Sequence, residues 1–323
     1  MTKAIRIHKH GGPEVMQWED IEVPAPGPGQ ARIRHTAVGL NFVDTYNRSG
    51  LYPQPMPLIV GGEGAGVVVA LGSGVSDLKV GDRIAYGAAP IGSYAEERII
   101  PADRLVKIPE GITDQQAASM MLKGLTTQYL IRSTYRVKAG DTILFHAAAG
   151  GVGLILGQWA KHLGATVIGT VGDADKAKLA RAHGYDHVIN YREQNFVDEV
   201  KKIAKGGLPV VYDGVGKDTW NGSLDCLQPR GLMVNYGNAS GPVTGVNLGI
   251  LAQKGSLFVT RPTLFTHINT RAKLDEAAGE LFDMIGKGAI HVPIERRYPL
   301  AQAGQAQEDL AARRTTGSCV LVP

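Results

Sequence analysis

The first 125 residues show short stretches in which apolar and polar side chains alternate, separated by turn-forming residues. The stretch ARIRHTAVGL, at Ala31–Leu40, alternates with the period of two that is typical of a half-buried β-strand. Before it, VPAPGPGQ at Val23–Gln30 combines prolines and glycines in a way that no helix tolerates. The pattern predicts an irregular β domain over residues 1–125, with further strands at Gly66–Gly72, Asp82–Gly87 and Ser93–Pro101.

From Gly124 onward the pattern changes to continuous apolar, β-branched runs that alternate with helical patterns. Unbroken apolar strands are typical of a parallel sheet whose two faces are both covered by helices. Six such runs match a doubly wound parallel sheet of the Rossmann type. They lie at Thr142–His146, Ala165–Thr170, His187–Asn190, Pro209–Val215, Gly231–Gly237 and Ser256–Thr260.

The C-terminal part of the chain is not needed to complete a six-stranded sheet. It contains a helical pattern at Thr270–Gly288 and a final apolar strand, GSCVLVP, at Gly317–Pro323. We expect this tail to return to the first domain and to make that domain discontinuous. The sequence therefore predicts an α/β protein with a first domain at 1–125, completed by 264–323, and a Rossmann domain at 126–263.

Composition narrows the functional classes. The chain has 323 residues, enough for two domains, and its hydrophobic and charged fractions of 44% and 20% are those of an ordinary globular protein. The net charge is only +4 and no basic run is interleaved with aromatic residues, so we expect no nucleic-acid partner. No stretch reaches the ~18 apolar residues of a membrane span, and the N-terminus lacks the apolar core of a secretory signal. With only two cysteines, Cys226 and Cys319, we expect no disulfide framework and a cytoplasmic location.

A glycine-rich loop joins the first apolar run to the helix after it. Residues Ala148–Gly153 read AAGGVG, the G-x-G-x-x-G pattern of dinucleotide-binding loops with alanine in the first position. In that pattern Gly150 lets the backbone approach a pyrophosphate, and Gly153 lets the helix pack closely on the strand. Ala148 requires only that the tight turn avoids positive φ at its position. Because the loop stands at the head of the strand–helix alternation, we predict dinucleotide binding; a plain run of small residues entering a helix is the alternative.

The end of the second apolar run indicates which dinucleotide binds. An NAD site needs a carboxylate there for the ribose hydroxyls, but this chain has Val171–Gly172. Lys176 is placed to reach a 2′-phosphate as a point charge, and Tyr191 could add a hydroxyl. Asp173 and Asp175 argue the other way, because a carboxylate repels phosphate, unless they are simply polar residues at a helix N-terminus. These features favour NADPH.

Several long motifs carry a resemblance to a known family. The segments HKHGGPEVMQ, GLNFVDTYNRSGLYP, KGLTTQYLIRSTY, HAAAGGVGLI and LDCLQPRGLMVNYGNASG together closely resemble NADPH-dependent quinone oxidoreductases. These form the zeta-crystallin-like, zinc-independent branch of the medium-chain dehydrogenase/reductase superfamily. The similarity runs from the N-terminus to RRTTGSCVLVP and covers essentially the whole chain. It implies a GroES-like β domain plus a Rossmann domain, in agreement with the pattern of apolar residues.

The resemblance also predicts that no metal takes part. Zinc alcohol dehydrogenases of the same superfamily hold their catalytic metal with a cysteine, a histidine and a later cysteine. In this chain the first place is Asn41, the histidine place is Gly62, and no cysteine precedes Cys226. Zinc catalysis needs three protein ligands of N, S or O type, and these positions supply none. His183 and His187 are four apart, but Gly184 interrupts the helix that would align them. Without zinc, alcohol oxidation loses its main driving force.

The resemblance further implies a set of residues at the nicotinamide end of the site. By this analogy Asn41 and Tyr46 line the nicotinamide, and Thr127 borders the ring. Asp44 and Lys123 are candidates for polar contact or proton supply, so Asn41, Tyr46, Asp44 and Lys123 are the predicted catalytic residues. Structural interpretations remain open: Asn41 as a turn residue, Tyr46 as a packing residue and Asp44 as a helix cap.

Cofactor contacts are predicted along most of the chain. The family pattern implies contacts from the turn after the fifth strand, from the sixth-strand region, and from Arg313 against the 2′-phosphate, with Arg314 as the alternative. Asp213, after the fourth strand, is interpreted as a structural turn residue. The predicted cofactor-binding set is Asn41, Tyr46, Thr127, Ala149, Gly150, Gly151, Val152, Gly172, Lys176, Tyr191, Val215, Gly237, Asn238, Ala239, Ser240, Thr260, Arg261 and Arg313.

The function implied by the resemblance is NADPH-dependent reduction of a quinone without a metal, by one-electron steps or by hydride transfer. A quinone accepts electrons readily, so the protein mainly has to place it over the nicotinamide. One alternative is NADPH-dependent reduction of an activated C=C bond in an enone or enal. Another is a non-catalytic NADPH-binding protein, crystallin-like or RNA-binding.

The last apolar run also predicts an assembly. The strand SLFVT, at Ser256–Thr260, would form the edge of the Rossmann sheet, and an apolar edge is an aggregation risk unless it is covered. Pairing of this strand with its copy in a second subunit would form a C2 homodimer, which the resemblance also implies.

Overall fold

The computed structural model describes residues 2–88 and 90–323. The chain divides into two compact units. The first unit takes in the chain up to Leu125 together with Ile268–Phe282 and Val292–Pro323. The second comprises Thr126–His267 and Asp283–His291.

The N-terminal part of the first unit consists of short strands and one short helix, as the alternating pattern predicts. Its elements are β1 (Thr2–Ile7), β2 (Gln17–Ile21), β3 (Gln30–Gly39), α1 (Phe42–Ser49), β4 (Leu58–Ile59), β5 (Glu63–Leu71), β6 (Arg83–Gly87), β7 (Glu97–Pro101) and β8 (Val106–Lys107). A longer helix, α2 (Asp114–Tyr129), then leads into the second unit and continues as a single π-helical turn at Leu130–Thr134.

The second unit alternates strands and helices. Its elements are β9 (Thr142–Phe145), α3 (Gly151–His162), β10 (Thr166–Val171), α4 (Ala174–Ala182), β11 (His187–Asn190), α5 (Phe196–Ile203), β12 (Leu208–Asp213), α6 (Trp220–Asp225), β13 (Leu227–Asn235), α7 (Gly249–Gln253), β14 (Phe258–Thr260) and α8 (Leu264–His267). The C-terminal elements are α9 (Arg271–Gly286), β15 (Ile294–Pro299), α10 (Ala303–Ala311) and β16 (Ser318–Val322).

The second unit carries one six-stranded sheet in the order β11-β10-β9-β12-β13-β14, and every pairing in it is parallel. Counted from its first strand, this is the order 3-2-1-4-5-6 of the doubly wound dinucleotide-binding fold. Successive residues of β10 and β12 are buried, which means that both faces of these central strands are covered. The prediction of a Rossmann sheet from continuous apolar runs is confirmed.

The first unit contains a small antiparallel sheet, β2-β1-β4, and a larger sheet in the order β15-β16-β3-β5-β6-β8, with β7 also paired to β3. Strand β3 is long enough to serve several partners: β5 and β7 pair with it antiparallel, and β16 pairs with its last residues. The C-terminal strand therefore completes a sheet that the N-terminal third of the chain begins.

Two short segments lie in a different unit from the one expected. The predicted first domain includes residues 264–267 and 283–291, whereas in the structure both segments lie in the second unit. The His267 ring stacks on Tyr129 with 4.5 Å between centroids. The Gln158 side chain on α3 makes a pair of hydrogen bonds with the backbone of His291, at 2.8 and 2.9 Å. These contacts tie both segments to the second unit.

Each unit has its own hydrophobic core. In the first, residues of β1 such as Ile5 and Ile7 form one cluster with Val38 of β3 and with the C-terminal residues Leu300 and Leu321. The C-terminal part of the chain thus belongs to this core as well as to the sheet. A core cluster of the second unit joins strand residues to residues of α5 and α6; it includes Leu144, Ile168, Val211, Val200 and Leu224.

The helices do not reach the length of a bilayer. Among the described residues, α2 and α9 are the longest, at 16 residues each, and no helix is long and apolar enough to span a membrane.

Helix α3 starts directly against the loop that precedes it. A Cβ built on Gly153 would stand 2.5 Å from Ala148 O and 2.6 Å from Ala147 O, which are backbone atoms that cannot turn away. The hydroxyl of Tyr185 donates a hydrogen bond to Gly153 O at 2.8 Å and holds the same turn from the other side. Only glycine permits this approach of helix and loop.

We therefore expect Gly153→Ala to lower the free energy of unfolding by ~1–3 kcal/mol, the usual cost of an overpacked site. Gly279→Ala is the matched control, because Gly279 lies inside α9 and no atom stands within 4 Å of its would-be Cβ. That change should raise the free energy of unfolding by ~0.5–1 kcal/mol through helix propensity. Chemical denaturation of both variants gives the comparison, and equal effects in the two would contradict the role of Gly153.

Candidate active site

The glycine-rich loop leaves β9 through a left-handed turn. Ala147 has a φ of 61°, and Gly150 donates its amide hydrogen to Ala147 O at 2.9 Å. Gly150 then caps α3 in an extended conformation, with φ −80° and ψ 169°. Ala148 avoids positive φ, so the left-handed position of this turn is the residue before it.

Ala148 occupies the place of the first glycine because the neighbouring strand provides the space. Its side chain is fully buried, and its amide donates to Thr170 O at 3.0 Å. A Cβ on Gly169 of β10 would stand 2.6 Å from the Ala148 Cβ and 2.5 Å from the Tyr185 ring. The glycine that the loop lacks is therefore found on β10.

The outer side of the loop is open. Only Ala147 O, at 3.1 Å, lies within 4 Å of a Cβ built on Gly150. The first amides of α3, from Gly151 and Val152, have no carbonyl in the preceding turn of helix to bond. An unobstructed backbone followed by the first amides of a helix, at the positive end of its dipole, is an environment that favours an anionic group.

The end of β10 carries the residues predicted to choose between cofactors. Asp173 is the N-cap of α4 and accepts a hydrogen bond from the Lys176 amide at 2.8 Å. The Lys176 ammonium lies 3.2 Å from the other oxygen of the same carboxylate. The hydrogen bond from the Lys176 amide, with the nearby charges of Lys176 and Arg192, holds the pKa of Asp173 below its usual value. The Asp173 carboxylate thus caps α4 and is paired with the ammonium group of Lys176 from the same helix. This agrees with the interpretation of Asp173 as a polar residue at a helix N-terminus.

Tyr191 and Arg192 lie against Gly172. A Cβ on Gly172 would stand 2.7 Å from the Tyr191 hydroxyl and 3.6 Å from Arg192 Nε. The structure therefore brings together Gly172, Lys176 and Tyr191, three residues predicted from the sequence, and adds Arg192. Arg192 is not among the residues predicted from the sequence. The signal for it is that a basic residue, which could pair with a 2′-phosphate, directly follows Tyr191.

The turns after β12 and β13 are joined to each other. Buried Asp213 accepts hydrogen bonds from the amides of Val215, at 2.8 Å, and Gly216, at 2.9 Å. Ser240 donates from both its amide, at 2.8 Å, and its hydroxyl, at 2.9 Å, to Val215 O. Asp213 thus holds the turn that follows β12, in agreement with its structural interpretation. The predicted residues Val215 and Gly237–Ser240 lie in two hydrogen-bonded turns at the carboxyl ends of neighbouring parallel strands.

The remaining predicted contacts are distributed over both units. Arg261 directly follows β14 and donates to Asn235 O at 3.2 Å, and Thr260 is the last residue of β14. Thr127 is fully buried on α2. Arg313 belongs to the first unit, follows α10 and has a φ of 60°. Its neighbour Arg314 is held by Asp309 at 2.7 Å.

In the first unit, a buried carboxylate gathers two of the predicted catalytic residues. Glu63, fully buried at the start of β5, accepts from Asn41 Nδ2 at 2.8 Å and from Lys123 Nζ at 3.0 Å through Oε2. Its other oxygen accepts the Leu122 amide at 2.8 Å. Glu63 is not among the residues predicted from the sequence. The signal that could have indicated it is a single acidic residue among small residues in GGEGAG.

Asp44 is also buried and forms a second centre of polar contacts. Its Oδ2 accepts a hydrogen bond from the backbone amide of Asn41 at 2.9 Å, and this bond is part of the capping box at the start of α1. The same oxygen accepts from the Tyr94 hydroxyl at 3.0 Å. Its Oδ1 has no hydrogen-bond partner among the described residues. Burial raises the pKa of Asp44 to about 7, although the hydrogen bonds from Asn41 and Tyr94 and the charge of Lys123 oppose the shift. Asp44 therefore titrates near neutrality.

Tyr46 packs within an aromatic group. It is buried on α1, meets Tyr52 edge to face with 5.2 Å between ring centroids, and lies 5.7 Å from the Phe42 ring. Asn41 and Asp44 thus form the capping box of α1, where a turn role was considered for Asn41, and Tyr46 packs among aromatic rings. The cofactor and substrate roles predicted for the three residues remain predictions.

Comparison with known proteins adds the family. Residues 27–110 match the family described as alcohol dehydrogenase GroES-like domain, and residues 151–279 match the family described as zinc-binding dehydrogenase. A quinone oxidoreductase of Pseudomonas aeruginosa is 56% identical, with 100% of both chains covered. The structure of an Escherichia coli quinone oxidoreductase complexed with NADPH is 52% identical, with 99% of this chain and 100% of that chain covered and a TM-score of 0.98. A 2-haloacrylate reductase of a Burkholderia species is 47% identical, with 100% of this chain and 99% of that one covered.

The chain belongs to the quinone oxidoreductase family.

Membership of this family within the medium-chain dehydrogenase/reductase superfamily confirms the resemblance seen in the sequence, and the GroES-like assignment of the first domain with it. In this chain the two places compared with zinc ligands are Asn41, whose side-chain amide donates to Glu63, and buried Gly62, which has no side chain. Among residues 2–88 and 90–323, no three His, Cys, Asp or Glu side chains are grouped to hold a metal ion. The absence of a metal from the reaction stays a prediction.

The raised pKa of Asp44 makes the stability of this protein depend on pH. The unfolded carboxyl titrates near 3.8 and the folded one near 7, so the folded state binds more protons between these values. The stabilisation is complete below the unfolded pKa and is lost as pH rises through about 7.

We expect Asp44→Asn to remove this dependence, because an amide oxygen still accepts from Asn41 and Tyr94 but does not ionise. Between pH 5 and pH 8 the free energy of unfolding of the unsubstituted protein should fall by roughly 1–3 kcal/mol relative to the variant. Asp20→Asn, at a half-exposed carboxylate paired with Lys3, is the control. Parallel pH profiles for Asp44→Asn and the unsubstituted protein would contradict the buried titration.

Proposed function

We propose that this chain is an NADPH-dependent quinone reductase that transfers electrons without a metal, by one-electron steps or as hydride. The observation that carries the proposal is the agreement in fold and sequence, over the whole chain, with a quinone oxidoreductase complexed with NADPH. The open glycine loop at the head of α3 supplies the matching site in this chain.

The residues of the second unit fit a phosphorylated dinucleotide. The open side of Gly150 suits the close approach of a pyrophosphate, and the first amides of α3, from Gly151 and Val152, can donate to its oxygens. A 2′-phosphate would meet Lys176, Arg192 and the Tyr191 hydroxyl. The two cations offset the carboxylates of Asp173, which is already a helix cap paired with Lys176, and of exposed Asp175 in the first turn of α4. This charge balance supports NADPH over NADH.

The nicotinamide supplies the reducing equivalents, and quinone, NADPH and one proton give quinol and NADP⁺. The chain's own residues supply binding, orientation and the proton. Asp44, with a pKa of about 7, is partly protonated at neutral pH and can act as a local proton store. Glu63 fixes the Asn41 amide and the Lys123 ammonium in one place. Tyr46 presents an aromatic face held by Tyr52.

The donor chemistry of the site supports reduction of an acceptor that needs no Lewis acid. An amide at position 41 and a glycine at position 62 do not provide a nitrogen and sulfur ligand set for zinc. A quinone is reduced without one, because its product oxygens take protons as they gain electrons. Alcohol oxidation, in contrast, depends on the metal to acidify the alcohol.

A second candidate function is reduction of an activated C=C bond. It is favoured by the full-length similarity to a 2-haloacrylate reductase. A haloacrylate is a C=C bond conjugated to a carboxylate, and the same cofactor chemistry serves both substrate classes.

Two further features support finer proposals. Strand β14 is at the edge of the six-stranded sheet among the described strands, and its Phe258 and Val259 are exposed, as is Leu248. We infer a C2 homodimer formed by β14 and its copy, which a sedimentation mass of twice 34.3 kDa would support and a monomer mass would contradict.

Cys226 and Cys319 are buried free thiols, which suits a protein that works in the reducing cytoplasm.

The substrate class is tested by following loss of NADPH absorbance with ortho- and para-quinones, with an enone and with 2-chloroacrylate. We expect turnover with quinones and a kcat/KM at least roughly tenfold higher than with the C=C substrates. The reverse order would support the second candidate. Binding of NADPH without turnover of either panel would indicate a non-catalytic protein.

The cofactor preference is tested by Lys176→Ala. We expect weaker NADPH binding by ~1–2 kcal/mol, roughly five- to thirtyfold in Kd, with little change for NADH, because a charge-assisted contact to phosphate is lost. Arg192→Ala should act in the same direction. Lys178→Ala, at an exposed residue of the same helix, is the control. Fluorescence titration gives the Kd values, and equal losses for NADPH and NADH would refute the phosphate role.

A further inference from the structure

A fully buried histidine stands at the start of the glycine-rich loop. His146 directly follows β9 and is 1% exposed. Its Nδ1 lies 2.8 Å from Thr170 Oγ1, and its Nε2 lies 2.9 Å from Ser223 Oγ. The edge of the ring packs on Phe196, with 5.0 Å between centroids. Both ring nitrogens therefore have partners on other elements of the second unit.

The directions of these hydrogen bonds are fixed by a carboxylate. Ser223 donates its hydroxyl hydrogen to Asp213 Oδ2 at 2.9 Å, so toward His146 its oxygen accepts. The proton of the neutral ring is thus on Nε2, and Nδ1 accepts from the Thr170 hydroxyl. Burial lowers the pKa of His146 and keeps the ring neutral. The result is one chain of donors that runs Thr170, His146, Ser223, Asp213.

This chain joins the strand ends that carry the predicted cofactor contacts. His146 leads into the loop of Gly150, and Thr170 lies two residues before Gly172. Asp213 holds the amides of Val215 and Gly216. Three separate segments, those after β9, β10 and β12, are therefore set relative to one another by four buried side chains.

We propose that His146 is a positioning residue of the cofactor site, holding the glycine loop, the Gly172 turn and the Val215 turn in register for NADPH. The proposal rests on the proposed function, since it concerns the same cofactor. Apolar residues of similar volume would fill this space without the polar chain, so packing alone does not call for it. The orientation of the three turns does require the polar chain, because hydrogen bonds of fixed direction set the angles between the turns, which apolar contacts leave free.

The test breaks the chain without touching the cofactor. Thr170→Val removes the donor to Nδ1 at nearly constant volume, and Ser223→Ala removes the link to Asp213. NADPH binding is measured by fluorescence titration and stability by thermal unfolding without cofactor. We expect both variants to raise the Kd for NADPH roughly three- to tenfold, the equivalent of one lost hydrogen bond, with KM for NADPH rising more than kcat falls. Thr170→Ser, which keeps the hydroxyl, should restore the Kd.

The control is Thr36→Val on β3 of the first unit. Thr36 donates its hydroxyl to Asp114 at 2.7 Å, so this variant loses the same kind of bond elsewhere. It should lower the unfolding temperature and leave the Kd unchanged. The proposal is overturned if Thr170→Val and Ser223→Ala lower the unfolding temperature but bind NADPH as the unsubstituted protein does. Failure of the unsubstituted protein to bind NADPH would overturn the proposed function as well, which separates the two outcomes.

Discussion

A carboxylate that stays ionised away from water must be surrounded by hydrogen-bond donors, and Glu63 and Asp213, one in each unit of this protein, meet that requirement. Glu63 takes three donors in the first unit, and Asp213 takes four in the second. An isolated buried charge costs several kcal/mol, so the donors cannot be spared. Because these donors come from different helices and turns, satisfying the charge also fixes where those segments lie relative to the strand that carries the carboxylate. The polar residues around each of these two carboxylates are arranged by this requirement.

The sheet of the second unit could be predicted from the sequence because its determinants are local. Each strand is a short run of apolar, β-branched residues, and a central parallel strand needs apolar residues on both faces. That residues 264–267 and 283–291 lie in the second unit could not be predicted, for the opposite reason. Gln158 and His291 are 133 residues apart, and no local pattern shows that an amide side chain will pair with that backbone.

The candidate site divides in the same way. Gly150, Lys176 and Tyr191 could be found because the fingerprint of a dinucleotide loop gives their spacing from the strands. His146 could not, because its partners Thr170 and Ser223 are distant in sequence. Glu63 has one local signal, a lone acid among small residues, but nothing nearby in the sequence shows that Asn41 and Lys123 bind it. Asp44 and Asp173 show a further limit: the sequence offered a structural and a functional interpretation for each, and a helix cap became visible only when the backbone amides were in place.

The exchange between Ala148 and Gly169 has a consequence for how such a loop changes during evolution. Ala148 could become glycine in one step, since losing a methyl group requires nothing of its neighbours. Gly169 could gain a methyl group only after both Ala148 and Tyr185 had made room for it. The two positions are therefore coupled and asymmetric, and a search for three glycines within one loop overlooks this chain, in which alanine takes the first place.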